Sequence, residues 1–119
     1  MARSLLIVSR SAPWSGMTAR EALDIALAGG AYDLAVGMLF MDDGVFQLVD
    51  GQRPEAVKQK NLAANLQALP LFGVDALFVC AASLAERGLD ASQLTPLAAI
   101  TAPEGLSALF NQFDEVITL

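Results

Sequence analysis

Histidine is missing from all 119 residues, and cysteine occurs once, at position 80. Without histidine there is no Ser-His-Asp or Cys-His nucleophile system, no usual zinc ligand set, and not the commonest general base. A single cysteine excludes an intrachain disulfide, a CxxC redox pair and a multi-cysteine metal site. Basic residues are scarce as well: 7 Lys and Arg stand against 13 Asp and Glu, for a formal net charge of −6. An acidic surface repels polyanions, so direct nucleic-acid binding by this chain alone is not expected. The opening run Leu5-Leu6-Ile7-Val8 is too short for the hydrophobic region of a secretion signal. No apolar segment approaches the roughly 20 residues that span a bilayer, so a cytoplasmic protein is expected. No glycine-rich run ends in Gly-Lys-Ser/Thr, which removes a Walker-type phosphate loop; neither cofactor nor metal is expected.

What is plentiful is apolar surface, at 55% of residues, against roughly 45–50% for an ordinary domain. A chain of this length makes one domain, 1–119, and a small domain buries a limited share of its surface. The excess fits an Ala- and Leu-rich core or a subunit interface. The interface is the preferred reading, because large exposed apolar patches are rare on monomers.

Along the chain, Ser4 to Ser9 reads as a buried strand ended by Ala12-Pro13-Trp14-Ser15-Gly16. Thr18 and Glu21 form a capping-box pattern, predicting a helix from Thr18 to Ala28 with Gly29-Gly30 as its stop. Leu34 to Met41 is a second buried strand. Asp43 is placed to cap a short helix through Val45, Phe46, Leu48 and Val49, followed by a loop at 50–54. Helical spacing returns from Asn61 to Leu69. Pro70 to Asp75 then leads to a strand at Ala76 to Cys80 and a short helix from Ala81 to Arg87, stopped by Gly88. A strand at Leu97 to Ile100, a helix from Pro103 to Phe113 and a strand at Glu115 to Leu119 complete the chain.

Alternating β and α elements with short loops predict an α/β fold. The expected architecture is a mostly parallel five-stranded sheet with helices on both faces, flavodoxin-like in outline. Function in such sheets collects at the carboxyl ends of the strands. The segments leaving those ends are Ser9 to Gly16, Asp42 to Phe46, Cys80 to Ser83 and Thr101 to Glu104. Asp42 and Asp43 invite a metal or phospho-acceptor reading, but no acidic pair follows the first strand and no lysine lies beyond Lys60. Asp43 as a cap beside a solvated Asp42 is preferred. Cys80 is the candidate for chemistry: a strand-to-helix junction favours the thiolate that attacks and carries sulfur. The alternative is a small buried apolar filler. Ser83 and Arg87 on the following helix are its supporting candidates with Asp42, Arg87 facing either a sulfur anion or solvent.

The block Val79-Cys80-Ala81-Ala82-Ser83-Leu84-Ala85-Glu86-Arg87-Gly88-Leu89 resembles the TusC (DsrF-like) branch of the DsrE/DsrF sulfur-relay proteins. So do Asp43-Gly44-Val45-Phe46-Gln47-Leu48, Ser11-Ala12-Pro13 and Gly51-Gln52-Arg53-Pro54, and the likeness spans the chain. The resemblance implies a DsrEFH-like fold and a complex that passes persulfide sulfur toward 2-thiolation of the tRNA wobble uridine, or serves dissimilatory sulfur oxidation. It implies TusB-like and TusD-like partners in a heterohexamer, with self-association when the chain is alone. It assigns the carrier cysteine to the TusD-type subunit, which makes this chain a structural subunit of a sulfurtransferase-type complex. Direct carriage by Cys80 is the alternative, and a flavodoxin-like small-molecule module is the outsider.

Overall fold

Short runs of Leu, Ile, Val and Phe bounded by turn residues become the strands, because β-branched and bulky side chains pack on a pleated surface. A computed structural model of the chain describes residues 4–12, 18–31, 35–48, 68–74, 76–90 and 99–119. It contains strands β1 (Ser4–Ser9), β2 (Ala35–Phe40), β3 (Ala76–Cys80), β4 (Ala99–Thr101) and β5 (Glu115–Thr118). The helices are α1 (Thr18–Ala31), α2 (Ala81–Glu86) and α3 (Pro103–Asn111), with 3₁₀ helices at Asp42–Leu48 and Leu69–Phe72. The five strands form one sheet in the order β4-β3-β2-β1-β5, and every pairing is parallel.

Alternation along the strands sorts the core into two layers. Ile7, Val36, Met38, Phe40, Leu77 and Val79 face α1 and α2, meeting Ala22, Leu23, Ala26 and Leu84, together with Val45, Leu48 and Leu69 from the 3₁₀ helices. Leu6, Val8 and Leu39 face the other way, against Leu109 of α3. Each fully buried Leu, Ile or Phe contributes about 1.5–3 kcal/mol, so the larger layer dominates the stability. Gly37 of β2 leaves room for the Phe113 ring, since a Cβ there would stand 2.7 Å from Phe113 Cζ.

The chain steps outward from β1 to β2, β3 and β4, then returns to place β5 beyond β1. Right-handed crossovers put the helices of the outward steps on one face and the returning helix α3 on the other. The segments leaving β3 and β4 therefore part toward opposite faces. By the switch-point rule, the crevice of this sheet opens between the carboxyl ends of those two strands.

Some boundaries differ from the sequence reading. Helix α1 continues through Gly29-Gly30 to Ala31. A glycine costs about 1 kcal/mol in a helix interior, which packing offsets, and Gly29 is buried here. The short helix after β2 is a 3₁₀ helix that begins at Asp42, which puts Asp43 inside its first turn and not at its cap. Pro70 to Phe72 belong to a second 3₁₀ helix. The helix expected at Asn61 to Leu69 lies largely outside the described residues, as do the Gly51-Gln52-Arg53-Pro54 block and Leu97. Helix α3 stops at Asn111, two residues short of Phe113.

Candidate functional site at the strand ends

The rim is built where the chain leaves β1 and β2. Met41 N–H donates to the Ser9 carbonyl at 3.1 Å, and Gly44 N–H donates back to the Met41 carbonyl at 2.8 Å. This tight turn holds Asp42 at φ 49°, a left-handed conformation uncommon for a residue other than glycine. Gly44 packs directly on the backbone of Ser9, so that a Cβ would fall on the Ser9 carbonyl. Only glycine tolerates so close an approach. Gln47 follows from the same 3₁₀ helix and is 4% exposed. Its Nε2 donates to Ser9 Oγ at 2.8 Å and to the Ser11 carbonyl at 3.0 Å, and its Oε1 finds no partner.

A second set of polar contacts ties the 3₁₀ helix to α2. Asp42 N–H donates to Ser83 Oγ at 2.9 Å. Arg87 Nε donates to Asp43 Oδ1 at 3.0 Å and its Nη1 to the Ser83 carbonyl at 3.2 Å. Arg10, just past β1, donates from Nε to Asp42 Oδ2 at 2.6 Å. Three of the four sequence candidates, Asp42, Ser83 and Arg87, are thus brought together. Both carboxylates are paired, so Asp42 is not simply solvated. Arg87 is tethered, with its side chain 20% exposed, and does not stand free in solvent. Exposed ion pairs contribute about 0–1 kcal/mol, so the network serves chiefly to fix the relative position of its elements. Among the described residues no group of three or more Cys, Asp and Glu could hold a metal ion.

Cys80 ends β3 and occupies the position before the first residue of α2, with extended backbone at φ −75°, ψ 119° and no side-chain capping bond. It is 2% exposed. Its register partner is Thr101, so it stands at the β3/β4 crevice. Alternation from Phe78 puts it on the α3 side of the sheet. The thiol therefore occupies the favoured place on the rim but is enclosed by protein.

Arg10 and Gln47 are rim residues that the sequence reading did not single out. A lone glutamine inside the apolar run Val45 to Leu48 is a readable signal, since a buried amide requires partners. Arg10 carries no such mark, because its role depends on β1 and β2 ending side by side.

The parallel sheet in this order, with a polar rim at its strand ends and a single buried cysteine at the end of β3, defines a class that comparison with known proteins makes explicit. The family model described as the DsrE/DsrF-like family matches residues 3–119, and the chain belongs to that family. It is 60% identical over 119 residues to the Protein TusC homolog of Pseudomonas aeruginosa, covering 100% of both chains. Two solved structures share the fold over the full length of both chains. The ychN protein from E. coli has a TM-score of 0.76 at 21% identity. A protein of unknown function, MTH1491 from Methanobacterium thermoautotrophicum, has a TM-score of 0.69 at 14% identity.

Proposed function

We propose that this chain is a structural subunit of a TusBCD-type sulfur-relay complex, one that passes persulfide sulfur toward 2-thiolation of the tRNA wobble uridine. Its partners are TusB-like and TusD-like chains in a cytoplasmic heterohexamer. Full-length identity of 60% to a TusC homolog supports the family role. The observation that carries the division of labour is the burial of Cys80, at 2% exposure. A sulfur carrier must meet both donor and acceptor thiols, and transfer rates depend on access to the attacking sulfur. Membrane attachment through a helix is not part of the reading, since no described helix is long and apolar enough to cross a bilayer.

The position of Cys80 supports a second reading, direct carriage. In it the Cys80 thiolate attacks the outer sulfur of a donor persulfide. The donor's S–S bond breaks as a new one forms on Cys80, and the donor leaves as a thiolate. The location between β3 and β4 favours it, while the enclosure of the thiol opposes it.

Cells carrying only Cys80→Ser, or Cys80→Ala to avoid placing a hydroxyl in an apolar site, separate the two readings. On the structural reading, 2-thiouridine in tRNA stays within about twofold of wild type, a change too small to mark the loss of a relay step. A severe loss with an intact complex would establish Cys80 as a carrier.

A further inference from the structure

We infer, independently of the subunit reading, that the Asp43-Gly44 bond is a site of spontaneous aspartate isomerisation and that Arg87 is the latch that holds it closed. An aspartate followed by glycine is the pair most prone to this reaction, because no side chain shields the next backbone nitrogen. The Gly44 nitrogen attacks Asp43 Cγ, and the new C–N bond closes a five-membered imide. The carboxyl hydroxyl leaves as water with the proton that the nitrogen loses. Water then adds back across one of the two imide C–N bonds. Opening on one side restores aspartate. Opening on the other routes the main chain through Cγ, which lengthens the backbone by one methylene. Water is the only co-reactant, and nothing is oxidised or reduced.

Three features of the fold oppose ring closure. Gly44 N–H is committed to the Met41 carbonyl at 2.8 Å. The Asp43 carboxylate is held by Arg87 Nε at 3.0 Å, and Arg87 is itself anchored through Nη1 to the Ser83 carbonyl. Asp43 also lies inside a 3₁₀ helix, whose ψ is about −20 to −30°, and the imide forms only when ψ turns far from that range. The Asp43 side chain is nevertheless 60% exposed, so the water that the reaction needs is at hand once the turn opens. The latch joins two elements, the 3₁₀ helix after β2 and the end of α2, and separating them frees the carboxylate. The product is costly to the rim. Gly44 already presses on the Ser9 backbone, and a main chain one methylene longer cannot repeat that turn.

The test ages the full chain in warm neutral buffer and counts isoaspartate at position 43 by electron-transfer fragmentation, which separates it from Asp50 of the chain's other Asp-Gly pair. Folded wild type should isomerise at position 43 at least about tenfold more slowly than the same chain in urea, because the reaction waits on local opening. Arg87→Gln should raise the folded rate about two- to fivefold, the extra opening expected when a partly exposed ion pair is lost. Exchange of the Gly44 amide should rise by the same factor. Arg87→Lys keeps the charge without the two-point grip and should fall between; it reads the same latch if Arg87→Gln does not fold. Equal rates in folded and unfolded wild type overturn the closed turn. A folded variant that isomerises at the wild-type rate, or faster without faster Gly44 exchange, overturns the latch.

Discussion

At the carboxyl ends of β1, β2 and β3, the side chains of Ser9, Arg10, Asp42, Asp43, Gln47, Ser83 and Arg87 are bonded to one another or to neighbouring backbone. Along β5, at the side of the same sheet, Val116 and Ile117 stand exposed beside acidic residues. Most of the rim's polar groups are paired internally and the thiol at the end of β3 is buried, whereas the edge leaves apolar side chains exposed. The difference separates two conditions that a strand-end motif alone would merge: the rim fixes the shape of this chain, and the edge leaves apolar side chains exposed.

The largest effect is expected at Gly44, where a Cβ would meet the Ser9 backbone. Gly44→Ala should destabilise by about 3 kcal/mol, the upper range for overpacking at a site with little room to relax. Urea unfolding measures it, and a loss below about 0.5 kcal/mol, typical of a surface substitution, would mean that the rim is looser than its contacts imply. A smaller change follows from Ser83→Ala, which removes the acceptor of the Asp42 N–H. Leaving a partly buried donor unpaired costs about 1–2 kcal/mol, read by the same urea unfolding. If Ser83→Ala spared stability, the contrast between rim and edge would fail.

Much of the architecture is legible in the sequence because local signals and tertiary demands agree there. The β1 and β3 runs, the apolar face of Ala22, Leu23 and Ala26 and Pro103 at the start of α3 each specify an element that the structure contains; Thr18, read as a cap, is the first residue of α1. The discrepancies have physical causes. Gly29-Gly30 reads as a stop, but a buried glycine inside α1 is held by packing. Asp43 reads as a cap, which would start the helix at Gly44, but the 3₁₀ helix already begins at Asp42, in the turn that brings Gly44 against the Ser9 backbone. Asp42, Ser83 and Arg87 are recognisable as rim residues from their places after β2 and β3. Their mutual bonds depend on two strands lying side by side, which no local pattern encodes. The exposure of Ile117 is equally hidden, since Val116-Ile117-Thr118 looks the same in sequence whether the strand is central or at an edge.

The central claim is that this chain shapes a relay without carrying its sulfur. The most direct measurement is intact-mass spectrometry of every subunit in the purified complex after loading with persulfide sulfur. The account predicts that this chain keeps its unmodified mass while another subunit gains sulfur, in keeping with the burial of Cys80. A sulfur adduct on this chain, mapped to Cys80, would contradict it.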